Sequence, residues 1–273
     1  MSSLHTVFDR RLVRLHRDRS ARTLPRHDVL FVEVAERLAE RLDDVRRPFH
    51  SALDVGTREG TLLRLLAGRS IPLLAGCELS PVLARRQRNL MPHIPVVCAD
   101  EEFLPFRDSS FDLVVSSLAL HWVNDLPGTL VQVRRILKPE GFFLAALPGG
   151  GTLFELRQCL MEAELEVRGG ASPRTSPVVD PKDAAGLLQR AGFSLPVVDS
   201  DVLTLTYEHP LALLRDLQGM GESSTLTVEK RSPLRRDVLL RAMDLYRQRH
   251  TGLDGRIEAT IQVVWMAGWT PSG

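Results

Sequence analysis

Four short runs in this 273-residue chain carry residue types and spacings that could do chemistry. The first is the loop Asp54-Val55-Gly56-Thr57-Arg58-Glu59-Gly60. Its glycines let a tight turn bring backbone amides close to a ligand. The second is Glu78 with Leu79, where Glu78 lies 22 residues beyond Gly56. An acid at about that distance is where a carboxylate accepts hydrogen bonds from both hydroxyls of a ribose. The third is Asp100-Glu101, and the fourth runs from Ser117 and Leu118 to His121-Trp122. An imidazole there could accept a proton or orient an acceptor; Trp122 reads equally as a packed lid residue. Taken singly, a glycine turn or a loop carboxylate is commonplace. The joint placement carries the argument.

These runs need elements that bring them together. Residues 51–55 form a short apolar strand ahead of the glycine loop, and a helix follows through Leu62, Leu63, Leu65 and Leu66. Strands over 71–77 and 96–98 end at Glu78 and at Asp100, with a helix over 81–90 between them. Residues 111–117 are a continuous apolar run of the kind buried on both faces. A helix over 127–137 stops before the turn signal Pro139-Glu140-Gly141, and 142–147 is a fifth strand. Strands alternating with helices imply an α/β, Rossmann-like, doubly wound sheet, with ligands at the carboxyl ends of its strands. After residue 147 come helices over 152–167, 183–191, 210–219 and 233–249, with strands over 197–207 and 261–269. Before it, 6–24 reads as an Arg-rich helix with a narrow apolar stripe of Val7, Phe8, Leu12, Val13 and Leu15. Asp28 is a candidate N-cap for a second helix ending near Leu42.

The order and spacing of the glycine loop, Glu78 and Asp100-Glu101 resemble the class I S-adenosylmethionine-dependent methyltransferases of the type 11 group, over roughly residues 50–150. The resemblance implies a seven-stranded sheet with S-adenosylmethionine as cofactor. Its amino-acid part would lie on Asp54, Gly56, Thr57, Arg58 and Gly60, its ribose on Glu78 and Leu79, and its adenine on Asp100 and Glu101, with Ser117 and Leu118 alongside. One departure stands out. The family usually carries glycine where this chain has Arg58, and a left-handed conformation there would cost about 1–2 kcal/mol. The guanidinium would then fill cofactor space or pair with the cofactor's carboxylate.

A narrower resemblance rests on Phe8-Asp9-Arg10, on 100–106, on the long run Ser116 to Pro127, on Gly151 to Arg157, and on Asp216 to Ser223. These are similar to the methyltransferase-fold assembly factors of respiratory complex I. That likeness implies a protein substrate, an iron–sulfur subunit of complex I, with arginine hydroxylation as the reaction of the mitochondrial relative. The Leu118-Ala-Leu-His-Trp122 and Gly-Thr-Leu features also resemble the malonyl-carrier-protein O-methyltransferases of biotin synthesis. A non-catalytic chaperone that keeps the fold is the third reading. On all three, residues 1–273 are one domain, with a helical extension over 1–45, a cofactor core over 50–150 and a helical lid over 208–256. Asn124, Gly219, Gly221 and Glu222, with Ser223, are expected on the substrate side. Asn124 and Asp125 are also candidate caps for the next helix.

Composition narrows the remaining classes. A formal net charge of +1 gives no electrostatic case for nucleic acid. Seven arginines against three aspartates in residues 1–30 read mostly as a solvated face, with recognition of an acidic partner or cover of the cofactor as alternatives. Cys77, Cys98 and Cys159 are too scattered for a disulfide framework or a metal cluster. The one His-x-Asp pattern, His16-Arg17-Asp18, sits on the Arg-rich helix, and Pro25 interrupts the spacing of His5, His16 and His27, so no protein-bound metal is expected. No apolar run is long enough to span a membrane, and no secretory core is visible. The expected location is cytoplasmic.

Overall fold

The computed structural model describes residues 6–172, 174–227 and 233–272; His5 and the stretch 228–232 within the expected lid lie outside them. Two helices precede the sheet, α1 (Arg10–Ser20) and α2 (Val29–Asp43). Asp9 caps α1 by accepting from the amides of Arg11 and Leu12. Asp28 stands at the N-cap of α2 but makes no capping bond. Pro25 falls in a single 3-10 turn, Leu24–Arg26, which redirects the chain between the helices.

The alternating core follows as β1 (Ser51–Val55), α3 (Thr61–Ala67), β2 (Leu73–Glu78), α4 (Pro81–Leu90), β3 (Val96–Cys98), β4 (Phe111–Ser117), α5 (Leu126–Ile136) and β5 (Leu137–Pro148). Beyond it come α6 (Phe154–Arg168), α7 (Pro181–Arg190), β6 (Ser194–Tyr207), α8 (Pro210–Gly219), α9 (Arg236–Arg249) and β7 (Ile257–Trp269). The strands form one sheet in the order β3-β2-β1-β4-β5-β7-β6. β1 to β5 pair in parallel, and β7 runs antiparallel to both of its neighbours. Every residue of β1 and β4 is buried, because helices cover both faces. α2 delivers Leu30, Val34, Leu38 and Leu42 to one core layer, and Leu130, Val133 and Ile136 of α5 enter the other.

One expectation is corrected at β5. Pro139-Glu140-Gly141 reads as a turn, yet the strand begins at Leu137 and runs through it. The turn chemistry appears as an irregularity inside the strand: Glu140 has φ +57, and the register jumps from Phe111↔Leu137 to Leu113↔Phe142.

In a sheet of this order the chain switches direction between β1 and β4, and their carboxyl ends open the crevice where ligands bind. The loops after β1, β2, β3 and β4 all reach that edge, so the four runs converge there.

Candidate cofactor and acceptor site

The loop after β1 is held against β2, with the amides of Gly56 and Thr57 donating to the Cys77 carbonyl at 2.8 and 3.1 Å. Gly56 has φ +76, and a Cβ there would lie 2.2 Å from the Cβ of Ala119. Glycine is required on both counts. Arg58 adopts φ +51, the left-handed conformation that departs from the usual glycine. Three contacts offset the strain. Its amide donates to Glu78 Oε2 at 2.9 Å, its Nη2 donates to the Met220 carbonyl at 2.9 Å, and its guanidinium lies 4.7 Å from the ring centroid of Phe31. The same Nη2 pairs with Glu222.

At the next two strand ends stand Glu78 and Asp100-Glu101, and α1 lies across them. Arg17 is entirely buried, its Nη1 donating to Glu78 Oε1 at 3.1 Å and to Glu101 Oε1 at 2.6 Å. Two turns earlier on the helix, Arg10 pairs with Asp100 and Glu101 and donates to the Trp122 carbonyl at 3.0 Å. Burial disfavours the charge on Glu101, but Arg17 and Arg10 hold its carboxyl down at about 2. Arg11, Arg14, Arg19 and Arg22 face solvent. The solvated-face expectation therefore holds for most of these arginines and fails for Arg10 and Arg17.

His121 and Trp122 occupy a short turn after β4, where Leu118 takes φ +46. Glu222 reaches them from the lid. Its Oε2 meets His121 Nε2 at 2.9 Å and accepts from Trp122 Nε1 at 2.9 Å. Helix α8 sets this up through its C-terminus: Gly221 turns left-handed at φ +78, its amide bonds Gln218, and the Glu222 amide bonds Leu217. That pairing is a Schellman motif, and it throws Glu222 back over the sheet edge. Burial opposes the charge on Glu222, yet Arg58 and His121 pull its carboxyl down to about 2.

Known proteins are similar to this chain in sequence and in fold. A family model described as "Methyltransferase domain" matches residues 53–145. The chain is 42% identical to the mitochondrial arginine-hydroxylase NDUFAF5 of Danio rerio, over 97% of this chain and 83% of that one. It is 37% identical to the malonyl-[acyl-carrier protein] O-methyltransferase of Halorhodospira halophila, over 97% and 90%. The chain belongs to the class I S-adenosylmethionine-dependent methyltransferases. Within that superfamily it is related to NDUFAF5. A methyltransferase-titled structure from Bacillus halodurans shares the fold at TM-score 0.58 and 18% identity, covering 86% of this chain and 99% of its own. A second, from Thermotoga maritima, does so at TM-score 0.54 and 19% identity, covering 94% and 99%.

The residues of this methyltransferase-fold chain fit the cofactor that the superfamily uses. Both carboxylate oxygens of Asp54 are buried with no hydrogen-bond partner, and so are Thr57 Oγ1 and Ser117 Oγ. Burial and the charge of Glu78 push the Asp54 carboxyl up to about 8. Unpaired buried acceptors of this kind cost stability until a donor reaches them, and an ammonium group supplies donors and charge together. Glu78, Asp100 and Glu101 are the acids available for a nucleoside, though α1 now engages them.

The strand ends thus gather Asp54, Gly56, Thr57, Arg58, Glu78, Asp100, Glu101, Ser117, Leu118, His121, Trp122 and Glu222 at one edge. Gly60 is the left-handed N-cap of α3, at φ +78, and Leu79 packs beside Phe8 and Trp122. Gly219 closes α8, where a Cβ would strike the ring of His27. Asp125 caps α5 as expected, whereas Asn124 does something else. Its Oδ1 accepts from the amides of Val7 and Phe8, both at 2.8 Å, and fastens the N-terminal segment. Arg10 and Arg17 were not singled out by chemistry in the sequence. Their spacing of seven puts them on one helix face, the one signal that could have found them. Asp18 of the His-x-Asp pattern is engaged by the Ser80 hydroxyl.

Proposed function

We propose that this chain binds S-adenosylmethionine at the edge of β1–β4 and acts on a protein partner, an iron–sulfur subunit of respiratory complex I, in support of its assembly. The observation that carries this reading is the 42% identity to an arginine hydroxylase running through 97% of the chain, well beyond the cofactor core over 50–150. Asp54 and the 56–60 loop would hold the amino-acid end of the cofactor, Glu78 the ribose, and Asp100 with Glu101 the adenine. When bound, S-adenosylmethionine supplies an electrophilic methyl group on a positively charged sulfur.

On the acceptor side, Glu222 is an ionised, buried acceptor facing His121 Nε2, so Nε2 is the ring nitrogen that directs its proton at the carboxylate. Nδ1 of His121, buried and without a hydrogen-bond partner, is left with a lone pair to take a proton from an acceptor group. Trp122 Nε1, bound to the same carboxylate, fixes the dyad's orientation. Arg58 balances the charge.

The test is mass spectrometry of the iron–sulfur subunit from a deletion strain. Loss of one oxygen atom's mass from an arginine supports hydroxylation, and an unchanged subunit excludes it. A second reading, carrier-protein O-methylation, is favoured by the 37% identity over 97% of the chain; biotin auxotrophy of the same strain would support it. Calorimetry showing no binding of S-adenosylmethionine would leave the non-catalytic chaperone.

A further inference from the structure

We propose that α1 is a strap whose Arg17 occupies the nucleoside part of the cofactor site, so that cofactor loads only when the strap withdraws. The inference rests on the cofactor reading above. Arg17 donates to both Glu78 and Glu101, the two fully buried acids at the ends of β2 and β3. Arg10 takes up Asp100. At the other end of the site, beside Asp54, the space between Phe31, Ala35, Thr57 and Ser117 is a cavity of about 20 Å³, lined by α2 and the 56–62 segment and by no residue of α1. That is room for no more than a water molecule. A nucleoside held by Glu78 and Glu101 would need the place that Arg17 fills between them, so nucleoside and strap exclude each other.

The latch is built to be displaced. Burying a guanidinium is costly unless its nitrogens are satisfied, yet Nε and Nη2 of Arg17 have no hydrogen-bond partner. Only Nη1 is bonded. Arg17 therefore neutralises the acid pair without filling its hydrogen-bonding capacity, and a ligand offering two hydroxyls and a positive charge replaces both functions. The strap is also tied to the lid. Phe8 bridges antiparallel to Leu226, the Asp9 amide donates to the Thr225 carbonyl at 2.8 Å, and the Thr227 amide donates to the Val7 carbonyl at 3.0 Å. Phe8, Val13, Trp122 and Leu226 share one apolar cluster. Withdrawal of α1 thereby disturbs the segment that carries Glu222, and cofactor loading is coupled to remodelling of the acceptor side.

A closed population lowers apparent affinity by the fraction of open molecules. Removing the latch therefore tightens binding. The experiment is calorimetry with S-adenosylmethionine and S-adenosylhomocysteine on the full chain and on Arg17→Met, with hydrogen exchange of α1 in the unsubstituted protein with and without ligand. The expected results are at least tenfold tighter binding by Arg17→Met and faster exchange of the amides over 13–19 when ligand is added. Binding that is unchanged or weaker in Arg17→Met, with α1 equally or better protected, overturns the strap and leaves the cofactor reading standing. Absence of binding by either protein overturns both. Should Arg17→Met fail to fold, the exchange measurement on the unsubstituted chain decides.

Discussion

His121 and Glu222, 101 residues apart in the chain, meet through Nε2 and Oε2 at 2.9 Å, and the same carboxylate pairs with Arg58. Replacing Glu222 by Gln keeps the shape but removes the charge that faces the Arg58 guanidinium. Leaving a buried ion without its partner costs roughly 3–5 kcal/mol, so Glu222→Gln is expected to lower the chemical-denaturation midpoint markedly. Much of that loss should return in the double variant Arg58→Gly with Glu222→Gln, which removes the orphaned guanidinium and relieves the left-handed backbone at residue 58. Equal destabilisation of the single and double variants would refute the coupling.

If His121 takes a proton during turnover, His121→Ala is expected to reduce the maximal rate by about 10²-fold or more while leaving cofactor affinity within a factor of about three, less than 1 kcal/mol. Steady-state rates alongside calorimetry read the two separately. A variant that loses cofactor binding and rate together would place His121 in cofactor binding and not in proton transfer.

Acid stability follows from Glu101 and Glu222, both held at about 2 by arginines. Their folded values lie below those of an unfolded glutamate, so the folded state binds fewer protons. The stabilisation is present in full above about pH 4.5 and is lost as pH falls towards 2. Denaturant titrations should show stability dropping over that window, and less steeply in Glu101→Gln. A profile flat from pH 5 to 3 would contradict the ion pairs.

Much of the core was legible because strands buried on both faces are written as unbroken apolar runs. The ends of 51–55, 96–98 and 111–117 were placed to the residue, and with them Asp54, Asp100 and Ser117. The strap was not legible. Leu15 is 36% exposed while Arg17 is 1% exposed, the reverse of what an apolar stripe predicts. Nothing local makes Arg17 differ from Arg14; the difference is made by Glu78 and Glu101, 61 and 84 residues further on. Periodicity reports burial only where the partner layer is apolar. The role of Asn124 was hidden for the same reason, since its partners are backbone amides more than a hundred residues earlier.

Asp54 gives the last prediction, with the opposite sign to the glutamates. Burial, and then the negative charge of Glu78, raise its carboxyl to about 8, so the folded protein holds a proton that the unfolded chain has released by pH 5. Its contribution to stability therefore declines as pH rises between about 4 and 8. Asp54→Asn, which cannot ionise, should flatten that decline. Ligand binding adds a second signature. A cationic ammonium group prefers the ionised carboxylate, and below pH 8 that form is the minority. Affinity for S-adenosylmethionine is thus expected to increase with pH from 6 to 8, by up to about tenfold per unit, and then level off. Calorimetry in buffers of different ionisation enthalpy should register release of up to one proton per cofactor bound near pH 7, and none in Asp54→Asn. If the unsubstituted protein binds with no pH dependence and no proton release, then the ammonium group does not lie against Asp54, and the orphaned carboxylate serves some other donor.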